Sequence, residues 1–303
     1  MIEGLPTHAH YTERFAEYYR RLGFHGQVVD GTLWLEEHRM IFPLGPASLS
    51  YVIPKSTAKE LLSSSRKAVL VRFTDGFGGH GTTGKWYAVI CRQFLDLSQY
   101  NSKNRNQIKK GLEQCAVKKV DAEYLARSGY DVYLAARTRY AEDIGSIRPK
   151  AAGQFKDDIL VAKDFDDVID FWGVFHRDAL VGYALNHRYG STEVAYSSMA
   201  FHPEYFKFYP AYALIYQMNE YYLRDQSFAY VNDGYKNVGH KTNIQDLLIH
   251  KFGFRKTPTN LFVRYRPWLA AALWIPRFAK QWLSNRSPKY ATLCALDDAR
   301  TRP

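Results

Sequence analysis

Apolar residues recur along this chain at two alternating periods, and the switch between them lays out the elements. Phe15, Tyr18, Tyr19 and Leu22 share one face of Thr7–Leu22, which predicts a helix that Gly23 stops. Val28 and Val29 lead into Asp30-Gly31, and Leu33 and Leu35 alternate after it, so Val28–Phe42 reads as a hairpin. Ala58–Leu62 reads as a short helix. Ala68–Phe73 and Trp86–Cys91 read as strands, separated by the glycine-rich loop Asp75–Gly84. Ile108, Leu112 and Cys115 then form a helical stripe behind Ser102, a candidate N-cap. Val117–Val120 reads as a strand, and Asp121 as the cap of a helix reaching about Tyr140.

Arg148–Gly153 reads as a linker, after which the pattern starts again. Phe165–Trp172 is expected to be helical, and Gly173–Asn186 to hold a hairpin turning at Arg177-Asp178. Glu193–Phe201 reads as a strand ending at His202-Pro203, and Pro210–Leu223 as a long helix. Tyr230–Tyr265 reads as strand, turn, helix, a Gly253-Phe254 stop, and a strand in which Leu261, Val263 and Tyr265 alternate. A left-handed cap is expected at Gly253. Trp268–Leu283 is an apolar helix kinked at Pro276, and the chain from Asn285 onward is expected to fray. Each half thus reads helix, strands, helix, strand. That places two related domains at 1–150 and 151–267, followed by an amphipathic helix and basic tail at 268–303.

Composition adds a charge question. The chain of 303 residues has a net charge of +11, and 46% of its residues are hydrophobic, enough for a sizeable core. Eleven Lys and Arg against two acids lie from Lys251 onward, so the excess is concentrated there. Such a patch suits polyphosphate, nucleic acid or an anionic membrane surface; a solubilising tail is the plainer reading. Cys91, Cys115 and Cys294 have neither metal nor CxxC spacing, which points to a reducing cytoplasm and no metal. The polar N-terminus does not read as a signal peptide, and no apolar run approaches the roughly 18 residues of a spanning helix.

A set of short motifs carries a family likeness. They are Leu180-Val181-Gly182-Tyr183, Met199–Pro203, the helix from Pro210 to Leu223, Val231-Asn232-Asp233-Gly234, and Asn243–Phe254. Over about Asp164–Pro267 they resemble the GNAT acyltransferase superfamily. The basic helix with Ser102, Arg105, Ile108, Lys109, Lys110, Gly111 and Leu112 extends the likeness to the whole chain. It resembles the FemAB-like branch, whose members carry tandem GNAT folds. The resemblance implies an α/β (α+β) fold class: tandem GNAT-like domains, each a mixed, mostly antiparallel twisted sheet flanked by helices, plus a C-terminal helix. It implies two splayed strands, with Met199–Phe201 and Ala229–Val231 the candidates, between which a donor's pantetheine arm lies like an added strand. It also implies a donor pyrophosphate seated at the next helix N-terminus. Met199, Phe201, Lys207, Tyr209, Ala211 and Tyr212 are the donor-binding candidates.

Two positions depart from that pattern. The family's phosphate loop reads Arg or Gln, two residues, Gly, one residue, then Gly or Ala. Here Lys207-Phe208-Tyr209-Pro210-Ala211-Tyr212 stands in its place. Pro210 removes an N–H donor, and Tyr212 is bulky where close approach is needed. The tyrosine that protonates the leaving thiolate in many GNATs falls on Ile249 or His250. His250 is then a candidate general acid, or simply a helix-end histidine. Asp233 is a candidate base for an acceptor amine, or a residue of an ordinary Asn-Asp-Gly turn. His202 faces a cleft or lies at the surface. Glu193 starts a strand near the cleft floor or in solvent. Tyr205, Tyr209, Tyr212, Tyr216 and Tyr235 stack on a ligand or form one packing face. His80 belongs to a lid or to a loose loop. Lys103, Arg105, Lys109 and Lys110 contact phosphates or form a solvated face.

The likeness implies transfer of an acyl group from acyl-CoA or aminoacyl-tRNA to an amine, with no prosthetic group. The rival is a degenerate, non-catalytic module that binds RNA or an anionic surface through its basic C-terminus. The helix at Trp268–Leu283 allows a peripheral membrane contact or packing within the protein.

Overall fold

The computed structural model describes residues 8–77, 82–144, 148–238, 244–273 and 287–301. Twelve strands are described: β1 His25–Val29, β2 Thr32–Glu37, β3 Met40–Leu44, β4 Leu70–Thr74, β5 Tyr87–Cys91, β6 Ala116–Val120, β7 Ile169–His176, β8 Ala179–Tyr189, β9 Glu193–Phe201, β10 Tyr230–Tyr235, β11 Arg255–Pro258 and β12 Leu261–Tyr265. They form a five-stranded sheet in the order β1-β2-β3-β4-β12 and a seven-stranded sheet in the order β11-β5-β10-β9-β8-β7-β6. Both sheets are mixed and mostly antiparallel, with helices between the strands, as the sequence predicts. Two compact units interleave along the chain. One takes Met1–Arg14, Ile90–Gly234 and Ile244–Arg255; the other takes Phe15–Val89, Tyr235–Asn243 and Lys256–Pro303. The two units exchange segments several times along the chain.

In the unit that begins at Phe15, Asp30 (φ 48°) and Gly31 (φ 72°) make the expected tight turn of the β1–β2 hairpin. β12 returns from late in the chain to pair antiparallel with β4, Leu261 opposite Thr74. Val69, Leu70, Trp86, Leu261, Val263, Leu269 and Leu273 form a core beside it. Arg266 donates to the carbonyls of Leu62, Ser65 and Ala68, satisfying the end of the helix Lys55–Ser64. The expected frayed tail is a helix, Pro288–Ala299, with Leu296 and Ala299 buried in that core. Its first turn is capped by the Ser287 hydroxyl, which accepts from the Tyr290 N–H. Charge at the end of the sequence masked this apolar stripe.

In the unit that contains Ile90–Gly234, β7, β8 and β9 form an antiparallel core. The hairpin between β7 and β8 turns at Arg177 (φ 56°), as predicted. The expected helix at Phe165–Trp172 is instead a short 3-10 turn, Ala162–Phe165, running into β7. β7 is buried on both faces from Ile169 to Phe175, so it has no polar alternation to mark it as a strand. The expected linker holds the start of a helix, Ala152–Val161. The helix behind Asp121 is broken at Gly129 into Ala122–Ser128 and Tyr130–Ile144. Asn101, not Ser102, caps the basic helix Ser102–Gln114, its Oδ1 accepting from the Asn104 N–H. Pro210–Asn219 continues as a wider turn through Glu220–Asp225. Gly253 is left-handed (φ 77°), as expected.

His80, and Trp274, Ile275, Pro276, Arg277, Phe278, Lys280, Trp282 and Arg286 of the expected apolar helix, lie outside the described residues. The described start of that helix, Pro267–Ala272, exposes Trp268 and buries Leu269. No described helix is long and apolar enough to cross a membrane.

Replacing Leu296 by Ala is expected to cost about 2–5 kcal/mol in urea unfolding, the usual range for a truncated core leucine. A change below about 0.5 kcal/mol would mean the C-terminal helix does not belong to the core.

Candidate functional site

The site grows from a strand pair that parts. β9 and β10 run parallel and pair at Glu193–Tyr230, Val194–Val231 and Ala195–Asn232. β9 then continues to Phe201 on β8 alone. The β8–β9 register also slips, Asn186 facing Tyr196 while Leu185 faces Ser198, which leaves Ser197 as an inserted residue. The result is an exposed stretch in mid-strand: Ser197 and Ser198 are exposed, and Met199 and Phe201 are half-buried. Tyr196 points to the opposite side, where its hydroxyl donates to Asn219 Oδ1 at 2.8 Å and ties β9 to the helix Pro210–Asn219. Of the two stretches expected to splay, Met199–Phe201 lies beyond the pairing, whereas Tyr230 and Val231 lie within it. The divergent part of β10 begins at Asp233.

Asp233 is held there by its neighbours. Asn232 is buried; its Nδ2 donates to the fully buried Glu193 carboxylate, and its Oδ1 accepts from the Gly234 N–H. Gly234 is left-handed (φ 80°), so the backbone bends where the strands part. Asn232 makes the turn, and the Asp233 carboxyl is not consumed by it. The Gln245 side chain, from the first turn of the helix Ile244–Lys251, hydrogen-bonds this carboxyl and also donates to the Asp233 carbonyl at 3.2 Å. Burial pushes the Asp233 carboxyl up to about 7, and the Gln245 hydrogen bond offsets part of that rise. Glu193 is buried rather than exposed to solvent.

His187 and Ser197 were not singled out in the sequence. His187 is buried opposite Ala195, and its Nδ1 lies 3.3 Å from Ser197 Oγ. Burial pulls this imidazole down to about 4, so it is neutral near pH 7. Only the strand register brings these two together, and the register cannot be read from spacing across an inserted residue.

The segment expected to meet a donor's phosphates offers few free N–H groups. Pro203–Phe208 forms a 3-10 turn, and Tyr209 is left-handed (φ 57°). The N–H groups of Tyr212 and Ala213 both bond to the Tyr209 carbonyl, at 3.0 and 3.2 Å. Pro210 has no N–H, so Ala211 keeps the one first-turn amide without a bond among the described residues. The basic helix lies directly against this terminus. A Cβ on Gly111 would sit 2.8 Å from the Tyr209 carbonyl oxygen and 3.1 Å from the Ala213 nitrogen. Cys115 Sγ also reaches the Phe208 carbonyl at 3.6 Å. Lys207 is exposed with its Nζ 5.1 Å from the Phe208 ring, and Lys110 Nζ lies 5.3 Å from the Tyr209 ring. Tyr209 and Tyr212 meet edge to face, and Tyr212 packs on Phe252. Ala211 and Tyr212 are half-buried.

The candidate histidines do not join Asp233. His250 is exposed in the last turn of the helix whose first turn carries Gln245, and its carbonyl accepts from Asn104 Nδ2 at 3.5 Å. Ile249 is half-buried. His202 packs edge to face on Tyr205, with its Nδ1 buried and lacking a hydrogen-bond partner among the described residues. No cluster of three or more metal-ligating side chains occurs among the described residues. The C-terminal charge is partly used within the protein: Lys251 Nζ donates to Asn104, Arg266 caps a helix, and Arg300 lies 2.9 Å from Asp297.

The Asp233 proton sets a pH dependence of stability. The folded state holds it more tightly than the unfolded chain, so stability is greatest below the ordinary carboxylate value and is lost as pH rises through about 7. Asp233→Asn is expected to raise Tm at about pH 8, with the gain shrinking towards about pH 5. A gain independent of pH would contradict a raised carboxyl.

No family model matches the sequence, and no curated protein is recognisably similar to it. Solved structures do match in shape. FemX aligns with a TM-score of 0.52 at 12% identity, covering 86% of this chain and 93% of that one. The C-terminal DUF2156 domain of a putative lysylphosphatidylglycerol synthetase from Agrobacterium fabrum aligns with a TM-score of 0.54 at 12% identity, covering 88% and 96%. The chain therefore shares the fold of FemX and of that DUF2156 domain.

Proposed function

We propose that this protein transfers an acyl or aminoacyl group from an activated ester or thioester to an amine, at the place where β9 and β10 part. The observation that carries the reading is Asp233: a shielded carboxyl beside an unpaired strand edge, poised near pH 7. A general base works best when its pKa lies near the working pH. In this reading Asp233 takes a proton from the neutral acceptor amine as the nitrogen attacks the donor carbonyl. The new C–N bond forms, and the carbonyl oxygen gathers negative charge that backbone N–H groups near Met199–Phe201 stabilise. The C–O or C–S bond of the donor then breaks, and the leaving oxygen or sulfur takes a proton back from Asp233. His250 is exposed and His202 packs on Tyr205, so neither has a part in these steps.

The start of the Pro210 helix bears on the donor. A pyrophosphate needs several free N–H groups at a helix start, and here one remains. That argues against coenzyme A held in the usual manner and favours an aminoacyl ester on tRNA. The exposed Lys103, Lys109 and Lys110 supply cations on the helix that lies against this helix start. The name of one structural neighbour, a lysylphosphatidylglycerol synthetase, joins an amino acid to a lipid, which agrees with aminoacyl transfer.

The test is transfer of labelled acyl groups to amines from acyl-CoA or from aminoacyl-tRNA. Turnover is expected with the aminoacyl ester, rising with pH through about 7. Asp233→Asn should lower it about 100-fold or more while leaving donor affinity unchanged. Turnover by neither donor, with salt-sensitive RNA binding, would replace this reading by the binding module.

A further inference from the structure

Arg72 is a half-buried cation with no counter-charge paired to it among the described residues. It lies in mid-strand on β4, opposite Val263 of β12, and is half-buried with its Nε fully shielded. Its guanidinium sits 5.1 Å above the Phe42 ring. No carboxylate pairs with it and no carbonyl accepts from it among the described residues. Glu37 is near enough to favour the charge but makes no ion pair with Arg72; its own contact is with His38 at 3.6 Å. Tyr235, the last residue of β10, lies beside Arg72, and its hydroxyl shares a hydrogen bond of 3.0 Å with Thr74 Oγ1.

Another cation in the same unit shows what a satisfied arginine looks like. Arg266 donates to three carbonyls. A guanidinium presents five N–H donors in a fixed fork, and withdrawing it from water without acceptors is costly. The fork matches the two oxygens of a carboxylate or phosphate, and the aromatic face beneath leaves its edge free to donate.

We propose that Arg72, over Phe42 and beside Tyr235 and Thr74, forms a binding site for a single oxyanion, a carboxylate or phosphate group of a ligand. The site stands on geometry that the transfer reading does not use, so either can fail alone. The ligand's anion supplies the counter-charge that the fold leaves out, accepts the guanidinium hydrogens, and takes a further hydrogen bond from the Tyr235 or Thr74 hydroxyl.

The experiment is thermal unfolding of the full chain in sodium phosphate, sodium acetate or sodium chloride at matched ionic strength and pH. Wild-type protein is expected to gain about 2–4 °C in Tm with phosphate, acetate or both over chloride, at concentrations well above the dissociation constant. A gain with acetate alone assigns a carboxylate, and with phosphate alone a phosphate; both arms support the site. Arg72→Met should abolish the gain, while Arg66→Gln, at an exposed arginine, should keep it. If Arg72→Met does not fold, Arg72→Lys is read in the same way, with a reduced gain expected because the fork is lost. No gain in the wild type, or an undiminished gain in the Arg72 variants, overturns the proposal.

Discussion

Gly111 and Tyr209 meet at a distance that admits no side chain, and this close approach sets how two helices of the unit holding β7, β8 and β9 pack. A helix-interior glycine is ordinarily a weakness. Here it lets the helix Ser102–Gln114 lie against the first turn of Pro210–Asn219. The same helix carries the buried Asn104, which takes a hydrogen bond from Lys251 and gives one to the His250 carbonyl. One short helix thus fixes the start of one neighbour and the end of another. The consequence bears on chemistry as well: backbone of the helix Ser102–Gln114 lies against the first turn of Pro210–Asn219, beside the Tyr209 carbonyl and the Ala213 nitrogen.

The strand divergence follows a different logic. A buried Glu193 is tolerable only if its carboxylate is hydrogen-bonded, and Asn232 supplies that bond. The other side of the Asn232 amide fixes Gly234, which turns β10 away from β9. Asp233 lies between these two residues, so its placement depends on a buried polar pair rather than on a loop. The polar pair costs desolvation and returns an open strand edge with a carboxyl beside it.

Much of this was legible in the sequence, for identifiable reasons. Asp30-Gly31, Gly253 and the run from Glu193 to Phe201 that stops at His202-Pro203 are local signals, and each produced the expected element. Pro210 signalled a helix start with one amide fewer, as the structure has it. β7 was not legible, since a strand buried on both faces has no alternation to read. The C-terminal helix was hidden by surrounding charge. The interleaving of the units was hidden because β12 pairs with β4 across most of the chain, and spacing carries no information about such a partner. Gly111 was visible as a glycine inside a helical pattern, a known sign of close approach, but only the structure shows what approaches.

The central claim is that the start of the Pro210 helix cannot grip a pyrophosphate. Calorimetric titration of acetyl-CoA against acetyl-pantetheine, which lacks the nucleotide and its phosphates, tests it most directly. The account predicts that acetyl-CoA binds no more tightly than acetyl-pantetheine, whatever the strength of either. Acetyl-CoA binding tighter by about 100-fold, roughly 2.7 kcal/mol, would contradict it.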